Sequence, residues 1–198
     1  LPKAVLASVI LVAVFGLIDI REAKHLWHTD RRDLLMLVVT FVATITLGVE
    51  SGILAGVVLS LADLIWRASR PHFAVLGRLP ETGVYRNIGR FPEAVEDPAV
   101  VVLRPDGQWF YANVPYWQEV IRKQLAERPK AKALVIDAGS LPEVDSTALH
   151  FLFDLADELD RSGVELRFAG LIGPVRDRLS TAGFFERLGA DRFYLTVP

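Results

Sequence analysis

Three apolar runs occupy the first third of the chain, and they restrict its fold more than any other feature of the sequence. They cover residues 4–20, 34–49 and 52–66; the second run has no charged residue, and Asp63 is the one acid of the third. A helix needs about 20 apolar residues to cross a bilayer. Each run is somewhat shorter than that, so we expect the three to pack together as the spans of a membrane helix bundle.

The basic residues predict how these spans are oriented. Four lie between the first and second runs and three follow the third: Arg21, Lys24, Arg31 and Arg32, then Arg67, Arg70 and Arg78. Basic loops favour the cytoplasmic side of a membrane. If both loops are cytoplasmic, residues 34–66 form a hairpin, which we expect to turn at 48–52, where two glycines permit a break.

The polar residues of the apolar first third offer few candidates for ion coupling or metal binding. Glu50 lies at the tip of the predicted hairpin, either as a hydrated acid near the interface or as an intramembrane carboxylate for ion coupling. Residues 19–33 have the spacing of a short amphipathic helix along the membrane surface. His25 and His28 lie within it, three positions apart, but no further ligand is near, so we predict no metal site.

The last two thirds of the chain read as an α/β domain. We predict strands at 100–105, 109–113, 133–138, 164–170 and 192–197, and helices at 114–127, 146–160 and 173–183, with Asn113 as the cap of the first helix. The apolar run 133–138 is typical of a central strand covered on both faces. Alternating strands and helices predict a mostly parallel or mixed sheet packed with helices.

Composition and motifs exclude several classes of protein. The net charge is −2 and cysteine is absent, so neither a nucleic-acid partner nor a cysteine-based metal site is expected. There is no phosphate-binding loop, no G-x-S-x-G motif and no histidine cluster with ligand spacing. The sequence therefore predicts no enzyme and no cofactor.

Two motifs in the α/β part resemble a known family. The pattern R-x-D-G-x-x-F-x-A-N covers residues 104–113, and the segment ALVIDAGSLPEVDSTALHFLFDLADEL covers 133–159. Together they resemble a STAS domain, the module shared by sulfate transporters and anti-sigma factor antagonists. The first motif has the form found in the sulfate permease (SulP) family, and residues 30–61 resemble the last membrane hairpin of those proteins.

That resemblance implies the C-terminal part of a secondary active anion transporter. Residues 1–66 would be its last membrane helices, 67–98 a linker with the first STAS strands, and 99–198 the STAS core. It further implies a multi-pass protein of the cell (inner) membrane, a cytoplasmic STAS domain, and a fragment that lacks the N-terminal membrane region and its substrate-binding residues. The expected partners are an inorganic anion (sulfate first, bicarbonate or chloride as alternatives), a second copy of the chain and a regulatory protein at the STAS domain.

The start of the helix after residue 145 is the candidate regulatory site. In anti-sigma factor antagonists the matching loop reads D-S-S-G, and its second hydroxyl is phosphorylated; aligned by Asp145, that position is Thr147, with Ala148 in place of glycine. Ser146 and Thr147 are therefore either a helix cap and interaction surface or a phosphorylation or anion-sensing site. Asp137 and Asp145 are expected to support the loop through hydrogen bonds to its amides.

Two other functions are compatible with the same residues. A membrane-tethered STAS module could signal through a partner kinase without carrying a solute, with Thr147 as its centre. A nucleotide-binding sensor is the third interpretation, because some STAS domains resemble such modules.

Overall fold

The computed structural model describes residues 3–15 and 19–197 of the chain. Residues 16–18 of the first apolar run lie outside that range. The chain divides into two compact units, a helical unit (Leu1–Leu64) and a sheet unit (Ile65–Pro198), and the described residues of each unit are treated separately.

The described residues of the apolar third form four helices. They are α1 (Lys3–Phe15), α2 (Ile20–Thr29), α3 (Arg31–Leu47) and α4 (Val49–Ser69), whose last turn belongs to the sheet unit. Aspartates begin two of them: Asp19 accepts hydrogen bonds from the first-turn N–H groups of α2, and Asp30 does so for α3. Among the described residues, α4 is the one helix long and apolar enough to cross a membrane.

The break between α3 and α4 is sharper than the sequence predicted. It occupies Gly48 alone, which has a φ of +90° that only glycine adopts readily. The second glycine of the predicted turn, Gly52, is not part of the break but lies inside α4. Glu50 is accordingly in the first turn of that helix.

Gly52 and Gly56 let α4 approach α3 closely. A Cβ atom on Gly52 would lie 2.0 Å from the Oγ1 atom of Thr44 and 2.6 Å from its Cα atom. A Cβ atom on Gly56, one turn later, would lie 3.1 Å from the Cγ2 atom of Thr40. Small residues four apart on one helix face are typical of tightly packed membrane helices, because they let two backbones come together.

After the last turn of α4, the described part of the sheet unit contains a mixed six-stranded sheet, four α-helices and two short 3₁₀ helices (Ala138–Ser140 and Ala190–Arg192). The strands are β1 (Phe73–Arg78), β2 (Tyr85–Asn87), β3 (Val100–Pro105), β4 (Ala133–Asp137), β5 (Glu165–Ala169) and β6 (Phe193–Tyr194), in the order β2-β1-β3-β4-β5-β6. Strands β3 to β6 are parallel, and β1 is antiparallel to β2 and β3. The helices are α5 (Val114–Ala126), α6 (Ser146–Arg161), α7 (Gly173–Thr181) and α8 (Phe184–Leu188). The predicted fold class, membrane-type helices followed by an α/β domain, is confirmed.

The sheet is packed unequally on its two faces. Leu103, Ile136 and Phe168 pair across the parallel strands and belong to the main core, which also contains apolar residues of α5 to α8. The alternate residues Val102 and Val135 belong to a second, smaller cluster on the other face. Within the described chain that cluster contains no helical residue. Residues 133–136 of β4 are nevertheless all buried, so the prediction of a central strand covered on both faces is confirmed.

The predicted strand at 109–113 does not form. Trp109 makes one isolated bridge with Val144, and residues 111–113 form a turn that leads into α5. Bulky aromatic residues suggested a strand, but the indole of Trp109 instead fills the core, 1% exposed. The last predicted strand, 192–197, is also shorter in the structure, where only Phe193–Tyr194 is extended.

Candidate functional site

Asp145 organises the start of α6. One oxygen of its carboxylate accepts a hydrogen bond from the N–H group of Ala148 at 2.7 Å, which caps the helix. The other oxygen accepts from the N–H group of Tyr111 at 2.8 Å. A single side chain therefore holds both the first turn of α6 and the loop formed by residues 108–113, the 108–113 loop.

Ser146 and Thr147 are the first two residues of α6, and both are exposed. Neither hydroxyl group makes a hydrogen bond to another residue in the part of the chain that the structure describes. The N–H groups at the start of a helix and the helix dipole both favour negative charge. Chemically, this position can accept a phosphate without first breaking a hydrogen bond of either side chain.

Asn113 closes the 108–113 loop, and its role differs from the predicted one. It precedes α5, but its side chain makes no capping hydrogen bond there. The side chain is instead fully buried: its Oδ1 atom accepts from the N–H group of Phe110 at 3.0 Å, and its Nδ2 atom donates to the carbonyl of Gln108 at 2.8 Å. Its place as the last residue of the 104–113 motif was the only sequence signal for this role.

Trp109 anchors the same loop in the core. Its ring lies 5.3 Å from the ring of Trp117 in α5 and 5.8 Å from the ring of Phe151 in α6. Among the described residues, the indole N–H groups of Trp109 and Trp117 have no hydrogen-bond partner. The loop is thus held by apolar packing from inside and by Asp145 and Asn113 through its backbone.

A charged cluster lies where β3 and β4 end. Asp106 accepts hydrogen bonds from the Nε atom of Arg104 at 2.8 Å and contacts the Nδ1 atom of His72 at 2.7 Å. Partial burial favours the protonated form of Asp106, but the bonds from Arg104 and His72 outweigh it and hold the pKa of this carboxyl below its ordinary value.

Asp137, at the end of β4, is perturbed in the opposite direction. Burial raises the pKa of its carboxyl above the ordinary value, and the N–H group of Gly139, 3.4 Å away, together with the charge of Arg104, offsets this only in part. The side chain thus caps a short 3₁₀ helix (Ala138–Ser140), and its ionised form is disfavoured in the folded protein.

These two carboxylates should affect stability oppositely at neutral pH. The ionised form of Asp137 is penalised by folding, so Asp137→Asn is expected to raise the midpoint of thermal unfolding at pH 7, with the gain shrinking as the pH falls toward about 4. Asp106→Asn is expected to lower the midpoint at pH 7, because the ionised form of Asp106 stabilises the fold; that loss shrinks as the pH falls through the lowered pKa of Asp106. Thermal unfolding of the parent and of each variant between about pH 2 and 8 measures both effects, because the Asp106 loss shrinks only below about pH 4, the ordinary pKa of an aspartate. If the unfolding midpoints of the two variants changed with pH in the same way, the opposite pKa shifts of Asp137 and Asp106 would be contradicted.

The remaining predicted residues lie apart from this region in the sequence. Glu50 is exposed in the first turn of α4, where a helix N-terminus favours an acid. His25 and His28 are exposed on α2. Over residues 3–15 and 19–197 the structure contains no group of three or more His, Cys, Asp or Glu side chains that could hold a metal ion.

Comparison with known proteins agrees with this architecture. The STAS domain family model matches residues 91–198, and the sulfate permease family model matches residues 1–40. Sulfate transporter 1.2 of Arabidopsis thaliana is 34% identical over 99% of the chain, and probable sulfate transporter 4.2 of the same plant is 33% identical over 100%. The chain spans about a third of the length of these relatives, 31% in both cases.

A solved structure has the same fold. The inward-facing structure of murine Solute Carrier 26 family member A9, an anion transporter, matches 100% of this chain and 32% of its own chain, with a TM-score of 0.86 and 23% identity. The sheet unit, with its loop and helix start at Asp145, is thus a STAS domain. The chain belongs to the sulfate permease family, as its motifs had predicted.

Proposed function

We propose that this chain is the C-terminal region of a secondary active transporter for an inorganic anion, with sulfate as the first candidate and bicarbonate and chloride as alternatives. The observation that carries the proposal is the order of two matches in one chain, the sulfate permease family at 1–40 and the STAS domain at 91–198. The proposed activity is transport and not catalysis, with no cofactor.

The length of the relatives is the basis for proposing a membrane region beyond this chain. Because the chain spans 31% of them, we propose that a further membrane region precedes these helices and supplies the anion site. Alternating access needs two membrane repeats that move against each other. The arrangement we propose is a homodimer of the cell (inner) membrane, with several spans in each copy and the STAS domain in the cytoplasm.

Anion uptake tests this function. The complete gene product that contains this chain would be produced in cells without endogenous sulfate uptake, and the entry of radiolabelled sulfate measured with and without excess bicarbonate or chloride. We expect saturable uptake well above that of cells carrying an empty vector. Uptake equal to the vector control for all three anions would reject the transport function.

We further propose that the STAS domain is regulated by a partner protein at Thr147. The support is an exposed hydroxyl, free of hydrogen bonds to described residues, at the start of a 16-residue helix, together with the likeness of this loop to the phosphorylated loop of anti-sigma factor antagonists. Ser146 is the adjacent alternative.

Phosphorylation can be localised with two matched variants. The intact chain would be incubated with extract of the source cells and ATP, and phosphopeptides identified by mass spectrometry. We expect phosphate at Thr147, lost in Thr147→Ala and kept in Ser146→Ala. Undiminished phosphorylation of this peptide in Thr147→Ala would reject Thr147 as the site.

A further inference from the structure

The side chain of Asn113 caps the end of α4. Besides its bonds within the 108–113 loop, its Nδ2 atom donates to the carbonyl of Ala68 at 3.2 Å, across 45 residues of sequence. Ala68 is in the last turn of α4, where carbonyl groups have no partner within the helix. Asn113 satisfies one of them, so the last turn of α4, which is part of the sheet unit, is hydrogen-bonded to the 108–113 loop.

The opposite side of the same loop is bonded to the start of α6. The N–H group of Tyr111 donates to Asp145 at 2.8 Å, and the N–H group of Asp145 donates to the carbonyl of Trp109 at 3.0 Å. The backbone N–H group of Trp109 in turn donates to the carbonyl of Glu143 at 2.9 Å. Six consecutive residues therefore join the end of one helix to the start of another.

We propose that the 108–113 loop couples the start of α6 to the end of α4, with Asp145 and Asn113 as its positioning residues, so that negative charge added at Thr147 loosens the end of α4. This inference rests on the proposed regulation at Thr147. It adds the route by which a modification of the STAS domain reaches the helix that precedes it.

The physical reason is competition at Asp145. A phosphate on Thr147 brings about −1.5 to −2 charges close to a carboxylate, and the N–H groups at the start of α6 can bind it in place of Asp145. Repulsion and loss of the Ala148 bond displace the Asp145 side chain, and the N–H group of Tyr111 then loses its acceptor. Asn113 remains bonded to the loop, so a shift of the loop moves the donor that holds Ala68.

Spin labels can measure this coupling directly. The chain contains no cysteine, so Ile65→Cys and His150→Cys, both at exposed positions, place one label near the end of α4 and one on α6. Distances between the labels would be measured by pulsed electron paramagnetic resonance on the intact chain in lipid nanodiscs. We expect one narrow distance in the parent and its loss in Thr147→Glu, and also in Asp145→Asn, which keeps the side chain's shape but has one carboxylate acceptor fewer.

A double variant distinguishes coupling through the 108–113 loop from general destabilisation of the domain. Asn113→Ala should broaden the distance by itself, and adding Thr147→Glu to it should have no further effect, since the link is already broken. Thr82→Glu is the charge-matched control, because Thr82 is exposed in the loop between β1 and β2; it should keep the narrow distance. If Asn113→Ala does not fold, the distances measured in Thr147→Glu and Asp145→Asn test the coupling without it.

The parental distance in Thr147→Glu, or equal broadening in Thr82→Glu, would overturn the coupling. The readout requires neither an anion nor a kinase. Absence of uptake would therefore count against the transport function, and absence of phosphate at Thr147 against the regulatory site, without altering the distance measurement.

Discussion

Gly52→Ala should disrupt the packing of α4 on α3, although alanine is the better helix former. The added Cβ atom would lie 2.0 Å from the Thr44 hydroxyl and 2.6 Å from the Thr44 Cα atom. A side chain can rotate away, but a Cα atom moves only with its helix. Overpacking of this kind typically destabilises by about 1–3 kcal/mol, which exceeds the roughly 1 kcal/mol that alanine gains over glycine in a helix.

Gly56→Ala is the matched comparison within the same helix. Its Cβ atom would meet only the side chain of Thr40, at 3.1 and 3.2 Å, and that side chain can yield. The gain in helix propensity should offset most of the strain, so we expect a near-neutral effect. The measurement is the midpoint of thermal loss of helical circular dichroism and of monodispersity in detergent. Equal midpoints for Gly52→Ala and Gly56→Ala would contradict the close contact with Thr44.

Asn113→Leu should strongly destabilise the STAS domain. Leucine has the same branched shape but is larger and cannot form hydrogen bonds, so it leaves the N–H group of Phe110 and the carbonyl of Gln108 without their partner. An unsatisfied buried group costs about 1–3 kcal/mol, and these two bonds are part-buried, so their loss together should cost roughly 2–4 kcal/mol. A domain of this size is typically stable by about 5–15 kcal/mol, and the loss is a large part of that.

Gln108→Leu is the control for this substitution. Gln108 lies in the same loop and contributes its carbonyl to Asn113, but its side chain is exposed. The same change to leucine should therefore leave stability nearly unchanged. Chemical denaturation of the intact chain, followed by tryptophan fluorescence, reports on the loop because Trp109 and Trp117 are buried beside it. A small effect of Asn113→Leu would show that water replaces the lost bonds, contrary to the structure.

The start of α6 shows which parts of the candidate site can be predicted from local sequence and which cannot. An acid followed by two hydroxyl residues and an amphipathic stripe predicted the helix start, and the cap at Asp145 lies where helix-capping rules place it. The second bond of Asp145, to Tyr111, was not predictable, because it joins residues 34 apart in the sequence. The loop at 109–113 was misread for a related reason: its aromatic residues indicate burial but not whether the backbone is extended.

Local patterns along the chain were enough to predict apolar helices followed by an α/β domain, because apolar periodicity and capping are local properties. The STAS type came from the resemblance of residues 104–113 and 133–159 to that family. The contacts of the folded chain were needed to show that Gly52 is a packing contact and that Asn113 bonds to Ala68. They were also needed to show that the described helices α5 to α8 pack against one face of the sheet. Each of these depends on which distant atoms meet after folding. A buried amide must find partners, but where they come from is set by the packing of the whole domain.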